Sequence, residues 1–186
     1  EELQPDLSAT SSLVTKRAIT YTDSYGASSQ IEANYLNSGS STATYTYLDG
    51  FGRTLQTRQQ AEASNTFAVI DVAYNTLELL DKESLPYFST GSSRTSATTT
   101  TALYTSYTYD AALRVATTTT AVGSMYHAYD DWKTSITDAR GKLKHLYADA
   151  FGNLSRVDET NNGSTYTTNY EYDALGNLTK ITDAAA

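Results

Sequence analysis

Tyrosine alternates with smaller residues, at a period of two, through Tyr45-Thr46-Tyr47, Tyr107-Thr108-Tyr109 and Tyr170-Glu171-Tyr172. Side chains of a strand point alternately to its two faces, so each Tyr-x-Tyr puts two rings on one face. Each run leads into a short stretch opened by aspartate: Asp49-Gly50-Phe51-Gly52, Asp110-Ala111-Ala112-Leu113 and Asp173-Ala174-Leu175-Gly176. Leu55, Val115 or Leu178 then begins a returning strand. An aspartate at the first position of a type I turn accepts backbone N–H bonds from the residues that follow. Glycine three positions on takes the left-handed conformation that closes a hairpin with a bulge. The pattern predicts strand, tight turn, strand.

The unit recurs. Asp-x-x-Gly stands at 23, 49, 138, 149 and 173, and Asn75 begins a degenerate form. The copies starting at Asp110 and Asp130 have Leu113 and Lys133 where glycine belongs. Turn positions at 23, 49, 75, 110, 130, 149 and 173 fall about 25 residues apart, enough for one hairpin and a connection. A lone hairpin is marginal in water, so the units must stack edge to edge and bury their tyrosine faces on neighbours. The expected fold class is all-β, an array of antiparallel hairpin repeats. Residues 55–63 and 71–85 contain helix formers but fall at strand positions of the repeat and are read as strands. Residues 38–41, 89–96 and 161–164 read as loops. On the return strands Leu154 and Val157, like Leu178 and Ile181, stand three apart; a bulge or a strong local twist would return each pair to one face.

Composition sharpens the picture. The 186 residues contain 16 Tyr against 4 Phe and 1 Trp, beside much Thr and Ser, as suits sheets with a ring on one side and a hydroxyl for a partner. Threonine runs at 98–101 and 117–120 disfavour helix. The net charge of −8 argues against nucleic acid, which needs clustered Lys and Arg. No apolar run approaches the roughly 20 residues that span a bilayer. Cysteine is absent, which removes disulfides, thiolate metal sites and cysteine nucleophiles.

Little catalytic chemistry is on offer. His127 aligns with a ring position of the repeat, and His145 lies on a predicted strand where an exposed side chain is expected. A Ser-His-Asp set could be drawn from so serine-rich a chain, but no Gly-x-Ser-x-Gly elbow presents a nucleophile. The acid pairs Asp130-Asp131 and Asp158-Glu159 would point to opposite faces of their strands. The turn aspartates already have a structural task, and no calcium-loop spacing is present. A non-enzymatic protein is expected, with no catalytic, cofactor-binding or metal residues and no cofactor. Tyrosine faces can hold glycans or peptides, but rings at one place in every copy suit contacts between hairpins better.

Tyr170-Glu171-Tyr172-Asp173-Ala174-Leu175-Gly176-Asn177-Leu178 resembles the YD repeat of bacterial rearrangement-hotspot (RHS) proteins. That repeat is shared with the B and C components of Tc toxins and with teneurins. Asp49-Gly50-Phe51-Gly52-Arg53, followed by Ser84-Leu85-Pro86-Tyr87-Phe88, is similar to Tc toxin B components and SpvB-type proteins. The resemblance covers residues 19–183. It implies a ribbon of hairpins in a curved or spiralling sheet, part of a shell that encloses a toxin polypeptide, secreted or on the bacterial surface. The Asp-Pro-x-Gly-Leu-type motif of self-cleaving members is absent, so cleavage is not carried over. Residues 1–18 are expected to be a linker or incomplete repeat, and 19–186 the array, as a segment of a longer chain. The expected repeat positions are Tyr45, Tyr47, Asp49, Gly52, Tyr107, Tyr109, Asp110, Asp149, Gly152, Tyr170, Tyr172, Asp173 and Gly176. Expected partners are flanking repeats or neighbouring copies and an enclosed toxin polypeptide. The alternative is an extracellular surface or filament protein whose tyrosine-rich sheet binds glycans, a cell-surface receptor or partner proteins.

Overall fold

Runs of Tyr, Thr, Val and Ile become strands, and Asp, Asn and Gly clusters become the bends between them. The computed structural model describes residues 2–5, 13–23, 28–37, 40–95 and 102–184, which fall into two units, 1–104 and 105–186. All regular structure among the described residues is β, and every strand pairing described below is antiparallel. The bend after Asp23 and the threonines at 98–101 lie outside the described residues.

The first unit contains β1 (Glu2–Pro5), β2 (Leu13–Thr22), β3 (Ser28–Asn37), β4 (Ser40–Leu48), β5 (Thr54–Gln60), β6 (Thr66–Tyr74), β7 (Leu80–Ser84) and β8 (Tyr87–Thr90). Strands β1 to β6 pair in chain order. Strand β6 then carries two partners on its free edge: β8 opposite Thr66–Val69, and β7 opposite Val72–Tyr74. Residues read as helix-capable, 55–63 and 71–85, form β5, the end of β6 and β7, in line with the strand reading.

The core of this unit lies on one face of β4–β6. Tyr45, Arg58 and Val69 stand opposite one another across the three strands, as do Tyr47, Gln56 and Asp71. Phe67 and Val69 are buried there, and the Tyr45 ring meets Phe67 edge-on at 5.6 Å. Arg58 has no exposed surface. Its Nε donates to the Gly91 carbonyl at 3.0 Å and its Nη2 to that of Thr90 at 3.1 Å. Its Nη1 reaches Gln56 Oε1 at 3.0 Å and Thr95 Oγ1 at 3.2 Å. Gln56 donates to the Thr95 carbonyl and to Asp71, and Tyr87 donates to the other Asp71 oxygen at 2.7 Å. Burial, followed by the Asp71 carboxylate, raises the pKa of the Tyr87 phenol. Residues 90–95 thus form a strap over the sheet face, held by a guanidinium. Within the stretch read as a loop, residues 89 and 90 belong to β8.

The second unit is a meander of β9 (Tyr104–Tyr109), β10 (Val115–Thr120), β11 (Gly123–Asp130), β12 (Lys133–Thr137), β13 (Leu143–Ala148), β14 (Leu154–Asn161), β15 (Ser164–Tyr172) and β16 (Leu178–Thr182). Its register sorts the side chains cleanly. One face carries Tyr129, Leu146, Val157, Tyr170 and Ile181; the other carries Ser135, His145, Asp158 and Thr167. Asp158 and Glu159 do diverge: the first meets Thr167 and the second Lys144.

Two turn readings change. Asp130 does not open a four-residue bend; it pairs with Lys133 as the last residue of β11, and Asp131-Trp132 is a two-residue turn. Asp131 takes the left-handed φ of 49° that lets so short a turn close. Asn162-Gly163 is likewise a two-residue turn with φ 50° and 82°, and Asn161 and Ser164 are strand residues, not loop. Because the chain reverses at every turn, the bends at 110, 131–132, 149 and 173 share one edge of the unit. The bend at Asp138 falls on the opposite edge, with those at 121–122 and 162–163.

Candidate functional site: the turn and its tyrosine clamp

The recurring turn is the most constructed feature of the chain. Six copies occur among the described residues, beginning at Asp49, Asn75, Asp110, Asp138, Asp149 and Asp173. In the last, the Asp173 N–H donates to the Asn177 carbonyl at 2.9 Å, and the Gly176 N–H to the Asp173 carbonyl at 3.0 Å. Asp173 Oδ1 accepts the N–H groups of Leu175 and Asn177, both at 2.9 Å. The fourth residue is left-handed: Gly52, Gly141, Gly152 and Gly176 have φ between 75° and 84°. Glu78 and Leu113 hold the same conformation, at 64° and 63°, without glycine's freedom.

The second carboxylate oxygen is satisfied by the fifth residue of the turn, a signal that sequence reasoning missed. Arg53 Nε donates to Asp49 Oδ2 at 2.7 Å and Arg114 Nε to Asp110 Oδ2 at 2.8 Å. Asn153 and Asn177 donate to Asp149 and Asp173 at 3.1 and 2.9 Å. The recurrence of Arg or Asn directly after the left-handed position was legible in the chain. These bonds favour the ionised acids. The Asn153 amide lowers the Asp149 pKa, the Asn177 side chain and then its N–H lower that of Asp173, and the Arg114 N–H and guanidinium lower that of Asp110.

A bulge follows five of the turns, with register breaks between residues facing 54 and 56, 80 and 82, 115 and 117, 154 and 156, and 178 and 180. It returns Leu178 and Ile181 to one face, opposite Tyr172 and Tyr170, and does the same for Leu154 and Val157. The ladder is interrupted at the bulge, where a carbonyl needs another donor. A tyrosine on the next strand supplies it: Tyr129 to Val115 and Tyr172 to Leu154, both at 2.9 Å, and Tyr74 to Thr54 at 3.2 Å. Each of these tyrosines immediately precedes the next Asp or Asn. In two copies the arginine of the preceding turn lies over the same ring, Arg53 on Tyr74 and Arg114 on Tyr129, both at 4.2 Å. Arg53 also donates to the Glu78 carbonyl at 3.1 Å, tying one turn to the next on that edge.

Other tyrosines of the repeat are placed differently. Tyr45 and Tyr47 face the strap, where the Tyr47 hydroxyl donates to the Ser92 carbonyl. Tyr107 stands opposite Thr118, Tyr109 opposite Val115, and Tyr170 opposite Ile181. Structure therefore brings Tyr172 together with the Asp149 turn, one hairpin back, and does not use every ring alike.

The histidines occupy opposite faces. His127 stands opposite Ile136. His145 is half-buried, not exposed as expected, because its Nδ1 lies 2.8 Å from Ser135 Oγ on β12. Asp158 follows His145 in the same cross-strand row, but its carboxylate takes both Nε and Nη2 of Arg156 and the Thr167 hydroxyl. Arg156 and then Thr167 hold its pKa down to about 2, against the burial that opposes ionisation. Chemically, Ser135, His145, Asp158 and Thr167 make a polar ladder across four strands. Among the described residues no group of three or more His, Asp and Glu is placed to hold a metal ion.

Residues 17–130 match the family described as Domain of unknown function (DUF6443), and residues 148–186 match the RHS Repeat. No curated protein matches the chain. The first match spans well over half of the sequence, and the second falls on the hairpins turned by Asp149 and Asp173. The chain, with its turns, bulges and tyrosine clamps, belongs to the DUF6443 family and is an RHS/YD-repeat structural protein.

Proposed function

We propose that this chain is a non-enzymatic wall segment: stacked hairpins forming part of a shell or scaffold around a toxin polypeptide, secreted or held at the bacterial surface. The array runs from residue 19 to 186, with 1–18 as a linker or incomplete repeat. One observation carries the reading. Tyr74, Tyr129 and Tyr172 each satisfy a carbonyl of the hairpin before them, so at three places one unit completes its predecessor, as a stacking array requires. The thirteen repeat positions named above are structural parts of that wall, and neighbouring repeats are its first partners.

Protease protection tests this role in the intact polypeptide to which the segment belongs. A downstream toxin polypeptide resists cleavage while the hairpins are folded and becomes cleavable when Tyr129 and Tyr172 are both changed to Ala. Equal cleavage before and after would end the enclosure reading.

Tyr21, Tyr126 and Tyr166 favour a second reading, since more than half of each ring's residue surface is exposed. Exposed rings of this kind suit glycan binding, Tyr126 on the face of Ser135 and His145 and Tyr166 on the opposite one. Retention on a glycan array, lost on changing Tyr126 and Tyr166 to Ser with the fold intact, would select it.

A further inference from the structure

We propose that the corner of the second unit beside the Asp138 turn is a docking groove for an extended acidic peptide segment bearing a large apolar side chain. A groove of about 530 Å³ there has Met125 and Ile136 on its floor, with Leu143 at its side. A second hollow of about 260 Å³ adjoins it, sharing Met125 and Asp138 and ending at Val122. Val122 is 90% exposed and Met125 38%, apolar side chains left open to solvent. Gly123 makes the geometry: a Cβ there would lie 2.7 Å from that of Ala139, so glycine lets the two turns close on each other beside them.

Charge decides the occupant. Three of the chain's 13 cations, Arg140, Lys142 and Lys144, stand within five residues along this groove, in a molecule of net charge −8. Lys144 pairs with Glu159 at 2.8 Å. Among the described residues Lys142 meets only the Asn161 amide oxygen, at 3.4 Å, and Arg140 pairs with no carboxylate. Asp138 Oδ1 accepts the N–H groups of Arg140 and Lys142, so the groove's three cations face two carboxylates, those of Asp138 and Glu159. Two unpaired cations above an apolar floor complement carboxylates flanking an apolar residue. Length points to a peptide: the hollows cross from β10 to β14, four strand spacings or about 19 Å, which an extended chain of about six residues would span. This inference rests on the groove alone and holds whether or not the hairpins form a wall.

The test uses the whole chain and a labelled hexapeptide, Glu-Glu-Leu-Phe-Asp-Glu. Met125 is the only methionine, so its methyl group is a single NMR reporter on the groove floor. Saturable binding should shift that signal. Affinity should fall about tenfold or more in R140E/K142E, in M125S, and on raising salt from about 50 to about 500 mM. Absence of a shift, equal binding of hexaglutamate, or indifference to M125S would overturn the proposal. So would cosedimentation with vesicles containing about one fifth phosphatidylserine when the hexapeptide fails to bind.

Discussion

The hydroxyl of Tyr172 on β15 donates to the carbonyl of Leu154 on β14 at 2.9 Å, at the bulge that follows the Asp149 turn. One side chain thereby repairs the gap left by another hairpin's turn. The ring alone could pack on a neighbour; only the hydroxyl can answer the carbonyl. This explains tyrosine at a position where phenylalanine would serve equally well for burial.

Tyr172→Phe keeps the ring and removes the donor. It should cost about 1 kcal/mol in urea unfolding, and Tyr129→Phe a similar amount, since a half-buried carbonyl loses its partner. Amides around Leu154 should exchange faster in the first variant and those around Val115 in the second. A phenylalanine variant as stable as the parent would remove the hydroxyl from the account.

Leu113 and Glu78 sit at left-handed φ where other copies have glycine. Leu113→Gly and Glu78→Gly should each raise stability by up to about 1 kcal/mol, the relieved strain being partly offset by glycine's larger unfolded-state entropy. Gly152→Ala, at φ 84°, should lower it by about 1 kcal/mol. Thermal unfolding of the three variants reads opposite signs at equivalent positions.

Arg58 is wholly buried and holds the strap by bonds to Thr90, Gly91 and Thr95. Arg58→Ala leaves those acceptors and Gln56 Oε1 without their donor and should cost at least about 3 kcal/mol. Limited proteolysis should then cut within residues 90–95 before any other site. Lysine, with one compact ammonium in place of a planar fork, should not restore protection.

Acid should loosen three of the turns and the Asp158 ladder in a defined window. Asp110, Asp149, Asp158 and Asp173 have folded pKa values below their unfolded ones, Asp158 at about 2. The stability they contribute is present in full above the unfolded value of roughly 4 and disappears as pH falls through the folded values. Unfolding midpoints measured from pH 6 down to about 2 should fall steeply only below about 4. In Asp173→Asn the acid-dependent part of that fall should shrink, because the amide cannot titrate.

Legibility followed the distance between interacting residues. The Asp-x-x-Gly turn was readable because its carboxylate, amides and left-handed residue lie within five positions, as at Asp173–Asn177. The three-residue spacing of Leu178 and Ile181 was equally compatible with a bulge or a local twist, and the strand register decided for the bulge. Asp130 misled because it follows Tyr129 in register with the repeat. A two-residue turn through Asp131 satisfies the same spacing with less backbone. The His145–Ser135 contact was not readable, since strand register sets it across ten residues.

Alternation, turn residues and tyrosine excess were thus enough to establish an all-β chain of hairpins, because backbone sterics and short-range hydrogen bonds act within each segment. Tertiary structure decided which hydroxyl meets which carbonyl, that Asp138 turns on the opposite edge from Asp149, and that Arg58 lies under a strap more than thirty residues away. Those outcomes depend on strand count, register and burial, which arise only when distant segments share one sheet.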